Sequence, residues 1–332
     1  MSDRKNDHIS LAAESKIGSN ELDQRFSYEP LFAPYPSDEV NPISIFGKEM
    51  NYPIWISSMT GGADKANAIN HNLAKICKEF KLGMGLGSCR VLLESDARWS
   101  DFDLRDTLGN DVPFFANLGI AQLENLIEAN RVSDIETLVQ KLRCDGICIH
   151  INPLQEAIQP GGDRIKNAPI DTIKSFISKT NLRVIIKEVG QGFGPRSLNE
   201  LLQLPIEAIE FGAFGGTNFS NLEMLRRNDV GAELYLALAK TGHTASQMLE
   251  TVNEIVAANQ SKIKCKNLII SGGITNAVDG YYLTKNSSLP AVFGMGGAFL
   301  KNAENYENLK VYTQNLIQTY KLAQSYLQIK KW

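Results

Sequence analysis

Along the 332-residue chain, short apolar runs rich in β-branched residues or glycine alternate with segments whose apolar positions recur at helical spacing. The runs are PIWISSM (53–59), LGMGLG (82–87), FFANLG (114–119), GICIHI (146–151), RVIIKEV (183–189), IEAIEF (206–211), NLIISGG (267–273) and AVFGMGG (291–297). They predict eight strands. Most neighbouring runs start roughly 25–37 residues apart, enough for one crossover helix each. The sixth and seventh lie about 60 residues apart, which predicts extra helical structure between them. From Ala66 onward, Ile69, Leu73, Ile76, Cys77 and Phe80 fall on one stripe. Tyr306, Leu309, Tyr312, Leu316, Tyr320 and Leu327 repeat the pattern from Glu304 to Gln328. Eight strand-then-helix units predict an α/β protein with a closed (β/α)8 TIM barrel. A doubly wound open sheet is the rival, because a strand count does not establish closure.

Residues 1–50 precede the first unit and include the Pro-rich piece YEPLFAPYPSDEVNP. They are expected to form an N-terminal extension, a flexible and solvated tail, followed by a hairpin around ISIFGKEMNYPI. Residues 51–332 are expected to be the barrel.

Composition narrows the class. The chain is 43% hydrophobic and 21% charged, with a formal net charge of -3. A balance so near neutral gives no global field to recruit nucleic acid or an anionic membrane, so an anionic ligand must meet a local cluster of cations. The five cysteines (Cys77, Cys89, Cys144, Cys148 and Cys265) are odd in number, form no C-x-x-C pair and mostly sit in apolar runs. They read as reduced thiols used as small hydrophobes. The polar start MSDRKNDHIS is no signal peptide, and no apolar stretch reaches membrane-spanning length. A cytoplasmic protein is expected.

The carboxyl ends of the predicted strands, where barrel enzymes place catalysis, run out into SSMTGG, GLGSCR, ANLG, HINPLQE, KEVGQGFG, GAFGGTNF, ISGG and GMGGAF. Helix-cap and turn chemistry accounts for part of this polar clustering, not all of it. The glycine pairs after strands six, seven and eight suit an oxyanion, because bare backbone N–H groups approach it closely. On strand four, alternation puts Cys148, His150 and Asn152 on one face and Ile147, Ile149 and Ile151 on the other. Gln155 and Glu156 follow, and Glu156 suits Mg²⁺, which takes one or two carboxylates plus phosphate oxygens. Lys187 inside the apolar run RVIIKEV needs an anionic partner. An ion pair with Glu188 is one solution and a ligand in the barrel mouth the preferred one, since adjacent strand residues face opposite ways. Arg4, Lys5 and His8 make a compact cationic group that reads either as solvated charge or as a lid over an anionic ligand.

RKNDHI (4–9), MTGG (59–62), GSCR (87–90), ANLG (116–119), HINPLQE (150–156), IKEVG (186–190), GGTNF (215–219) and SGG (271–273) occur in an order that resembles the type 2, FMN-dependent isopentenyl-diphosphate isomerases. The resemblance spans nearly the whole chain. It implies an FMN across the barrel mouth, lined by Ser58, Met59, Thr60, Ser88, Asn117, Lys187 and Thr217, with Gly272, Gly273, Gly297 and Ala298 around its phosphate. It implies substrate contacts from Arg4, Lys5, His8, Ser88, Arg90, His150, Asn152 and Gln155, and Mg²⁺ on Glu156. The implied reaction interconverts isopentenyl and dimethylallyl diphosphate, with FMN reduced by NADPH moving the proton and Lys187 stabilising the anionic reduced flavin. A homo-oligomer, tetramer or larger, is also implied.

Three places depart from the family pattern: Gly161 stands for a glutamate, Gly212 for a serine, and Lys240-Thr241-Gly242-His243-Thr244 for a W-G-I-P-T-like segment. A hydroxy-acid oxidase or dehydrogenase on an FMN barrel would carry a late His-Gly-x-Arg, whereas His243 is followed by Thr244. A flavin-free phosphate-binding barrel and a non-catalytic relative binding flavin or prenyl diphosphate are the other readings.

Overall fold

A computed structural model describes residues 2–58, 61–227 and 229–330. Eight parallel strands form a closed barrel: β1 (Ile54–Ile56), β2 (Gly83–Gly85), β3 (Phe114–Gly119), β4 (Gly146–Ile151), β5 (Val184–Glu188), β6 (Ala208–Glu210), β7 (Asn267–Ser271) and β8 (Ala291–Met295). Each lies inside one of the apolar runs. Closure comes from β8 pairing with β1, with Phe293 opposite Ile54 and Gly294 opposite Trp55, which excludes the open sheet. Outward-facing apolar side chains such as Ile147, Ile149 and Ile186 pack under the surrounding helices in one continuous core.

The helices follow the predicted stripes. Along Ala66–Phe80, Ile69, Leu73, Ile76 and Cys77 are buried. The long interval between β6 and β7 holds Phe219–Arg226 and Leu236–Ala239 ahead of the crossover helix Ala245–Asn259. The last helix, Tyr306–Tyr326, ends one residue earlier than its apolar repeat, because Leu327–Ile329 pairs as an antiparallel strand with Phe26–Tyr28.

The barrel interior is filled from below. Ile43–Ile45 and Lys48–Met50 form the expected hairpin. Its turn residues Phe46 and Gly47 both take positive φ, 55° and 73°, the geometry of a tight two-residue connection. Phe46 is held there by packing edge-on against Trp55 and Phe115, at 5.3 and 5.8 Å between ring centroids. Ile45, Phe46 and Met50 join inward-facing Cys148, Ile185, Ala208, Ile269 and Val292 in a separate inner core. On β2 that face is glycine because Trp55 occupies the space: a Cβ on Gly83 would sit 2.6 Å from its indole. The amino end of the barrel is thus plugged, and chemistry is confined to the carboxyl end. Residues 3–24 are exposed throughout, as their polarity predicts, with a helix at Ser2–Leu11.

Candidate active site at the carboxyl end of the barrel

Where the strands leave the plugged interior, the inward face changes from apolar to polar. On β5 this happens at Lys187, which is buried and directly opposite Glu210 on β6. Its Nζ stands 3.2 Å from the Glu210 carboxylate and donates to the Glu188 carbonyl at 3.3 Å. The resident counter-ion is thus Glu210 rather than Glu188. The Glu188 carboxylate turns the other way and accepts the N–H groups of Gly190, Gln191 and Gly192. Burial draws the Lys187 ammonium down, while the Glu210 carboxylate, with smaller help from its other neighbours, holds its pKa above the ordinary lysine value. The sequence did carry a signal for Glu210, since alternation in IEAIEF puts it on the inward face with Ala208.

Beside Lys187 lies a cleft walled by backbone. Gly215, Gly216 and Thr217 after β6, Gly272 and Gly273 after β7, and Gly297 and Ala298 after β8 all line it, with Ser57 and Ser271. Gly272 has φ +89°, and a Cβ there would collide with the Ala213 carbonyl oxygen. A Cβ on Gly216 would come within 3.1 Å of Gly272, so the two turns meet main chain to main chain. Ser58 lies just past β1, where its buried Oγ, like that of Ser57, has no partner among the described residues. Met59 and Thr60, expected in the same group, lie outside the described residues.

On the opposite side the mouth is organised around His150. Its Nδ1 lies 2.7 Å from the Asn117 Oδ1, and Asn117 donates its Nδ2 to the Leu86 carbonyl at 3.0 Å. That orientation puts the imidazole proton on Nδ1 and leaves Nε2 as an acceptor. Burial, reinforced by Lys187, lowers the imidazole to about 4, so it is neutral at physiological pH.

Asn152, beyond β4, donates its Nδ2 to Glu156 at 2.9 Å and to Gln155 at 3.2 Å, while its buried Oδ1 lacks a partner. Gln155 donates to Glu223, a buried carboxylate that the sequence reading missed. The second Glu156 oxygen accepts the backbone N–H of Asp163 at 2.8 Å. The Asp163 carboxylate accepts from Arg90 at 3.0 Å and from Gln122 at 2.7 Å. Ser88 is adjacent, its Oγ 3.5 Å from the Arg90 N–H. Arg90, Ser88, Asn152, Gln155 and Glu156 are thus brought together. Arg4, Lys5 and His8 are not: their side chains are exposed on the N-terminal helix and make no hydrogen bond or ion pair among the described residues. Among the described residues no three His, Cys, Asp or Glu side chains group as a metal site. Nor is any described helix long and apolar enough to cross a membrane.

No family model matches the chain. It is, however, 30% identical over 312 residues to the isopentenyl-diphosphate delta-isomerase of Rickettsia felis, covering 92% of this chain and 87% of the relative. The chain belongs to the isopentenyl-diphosphate delta-isomerase family. It is an enzyme, an isomerase. A second member, from Cronobacter sakazakii, is 32% identical over 285 residues, covering 84% of this chain and 79% of the relative.

Solved structures similar to the isomerase include a flavocytochrome b2 double mutant with sulfite bound (TM-score 0.61, 14% identity, 95% of this chain and 77% of that one). A mandelate oxidase mutant with a monooxide FMN adduct is another (TM-score 0.53, 13% identity, 90% and 87%). At such identities the likeness shows the barrel fold alone.

The three departures have local explanations in the isomerase. Gly212 has φ +53°, and a Cβ there would collide with the Glu188 carbonyl, so this backbone path excludes serine. The 240–244 segment is bound to the loop after β5: Gln191 accepts the His243 N–H at 2.8 Å and donates to the Thr241 carbonyl at 2.8 Å. Thr244 then caps the helix Ala245–Asn259. Gly161 has φ +72° and a Cβ there would meet nothing, so only its backbone conformation favours glycine.

Proposed function

We propose that this isomerase interconverts isopentenyl diphosphate and dimethylallyl diphosphate, with reduced FMN in the barrel mouth, Mg²⁺ on the diphosphate and NADPH as the source of reducing equivalents. The observation carrying the proposal is the placement of one buried ammonium, Lys187, beside a cleft lined by glycine backbone from β6, β7 and β8. A planar anionic ring system bearing a phosphate matches both halves of that surface. The glycine turns supply N–H groups to the phosphate, with Thr217 beside them, and Lys187 supplies positive charge to the ring. The partnerless hydroxyls of Ser57 and Ser58 fit a polar ring edge in the same way. Ser88, Asn117, Met59 and Thr60 complete the proposed FMN set. When bound, FMN supplies the proton transfer that an unactivated alkene needs and that no acid–base pair of this chain provides.

The protein residues bind and orient. Arg90 would meet the diphosphate and Glu156 would hold Mg²⁺, which needs only one or two protein carboxylates and would supply charge to the diphosphate. Asn152 and Gln155 position Glu156, and the neutral His150 presents Nε2 as an acceptor toward the substrate. Arg4, Lys5 and His8 reach the diphosphate only if the N-terminal helix moves onto the mouth. The carbon skeleton keeps its formula: one proton is added at the terminal methylene carbon and one is lost from the allylic carbon. Exposed Leu225, Val230 and Leu234 support assembly into a homo-oligomer.

FMN retention tests the cofactor half of the proposal. The wild-type protein is expected to keep FMN through gel filtration and Lys187→Met to bind it at least about tenfold more weakly, the loss of one charge-assisted contact. Wild-type protein with no affinity for FMN would overturn it.

A further inference from the structure

Before any ligand arrives, the Lys187 ammonium already has a carboxylate 3.2 Å away, that of Glu210. Its side chain is only 1% exposed, stands across the β5–β6 register from Lys187, and lies 3.5 Å from the Ser271 hydroxyl, which accepts the Gly212 N–H. The other titratable groups facing Lys187 do not replace it. His150, its register partner on β4, is neutral, and the Cys148 thiol is pushed up by burial and stays protonated. Glu188 offers its carbonyl, with its carboxylate engaged by three loop amides.

Resting on the FMN reading above, we propose that Glu210 is a charge-setting residue that keeps Lys187 protonated while the flavin is oxidised and neutral. Reduction then adds two electrons and one proton to FMN, giving its anion, and the waiting ammonium receives that charge without taking up a proton of its own. Without the Glu210 carboxylate, burial disfavours the charged form of a lone ammonium. Lys187 would then be neutral beside oxidised FMN, and reduction would bring two protons: one to the flavin, one to Nζ.

The midpoint potential of bound FMN, titrated with dithionite across the neutral pH range, reads the proton count directly. Two electrons with one proton give about 30 mV per pH unit, and two electrons with two protons about 60 mV. The wild-type holoenzyme is expected at the lower slope and Glu210→Gln at the higher, with Glu210→Asp restoring the lower. A wild-type slope near the higher value, or an unchanged slope in FMN-loaded Glu210→Gln, overturns the proposal. Should Glu210→Gln not fold, Glu210→Ala loaded with FMN is titrated in its place, with the same higher slope expected and an unchanged slope overturning the proposal. Wild-type protein that retains no FMN overturns the cofactor reading itself, a different result from a wrong slope.

Discussion

The Nδ1 of His150 and the Oδ1 of Asn117 are 2.7 Å apart, joining β4 to β3 at the floor of the mouth. Because Asn117 turns its amide nitrogen to the Leu86 carbonyl, the atom it presents to His150 is Oδ1, an acceptor, and the imidazole must donate. A residue with two possible tautomers is fixed in one, with Nε2 left as an acceptor.

The first prediction is spectroscopic. In nitrogen-edited NMR, His150 should appear as the neutral Nδ1–H tautomer and titrate with a midpoint near 4 rather than the ordinary 6.5. Between those values the unfolded chain binds a proton that the folded one refuses, so this site favours folding less as pH falls from 6.5 toward 4. A midpoint at the ordinary value would show that the ring is not buried and neutral as described. Asn117→Ala should release the tautomer and destabilise the fold by about 1–3 kcal/mol through the unpaired groups it leaves.

Glu156→Gln separates metal from flavin. The amide keeps an oxygen to accept from Asn152 or Asp163, so the loop should stay in place, but it is a poor Mg²⁺ ligand. Isomerisation should fall at least about 100-fold while FMN binding is unchanged. Full activity of the variant with Mg²⁺ present would remove Glu156 from the metal site.

Restoring the family serine at Gly212 should not restore a contact. A side chain there meets the Glu188 carbonyl at a positive φ, so Gly212→Ser should lower stability by about 1–3 kcal/mol, visible as a lower melting temperature. A variant as stable as wild type, with tighter FMN binding, would contradict the backbone path described.

Much of this architecture was legible in the chain because strand and helix periods are local properties. The eight runs, the stripe from Ile69 to Cys77 and the outward isoleucines of GICIHI each follow from alternation or helical spacing alone. Barrel closure was expected from eight strand-then-helix units and is found, but the open sheet was ruled out only by β8 pairing with β1 some 240 residues away in sequence, a pairing no local pattern encodes. The Glu210 partner of Lys187 was half legible: alternation placed it inward, but register between β5 and β6 decides which inward residue it meets. Glu223 and Asp163 were missed for a similar reason. Each acts by tertiary contact with a residue more than 65 positions away, Gln155 and Arg90 respectively. The tail cations show the converse limit, because a motif can match in order while its side chains stay exposed and unpaired.

The central claim is the reaction. Isopentenyl diphosphate incubated anaerobically with the protein, FMN, Mg²⁺ and NADPH in deuterated water should yield dimethylallyl diphosphate carrying deuterium, seen by NMR, and only when FMN is reduced. No conversion by protein that holds reduced FMN would contradict the account and point to another substrate for the same mouth.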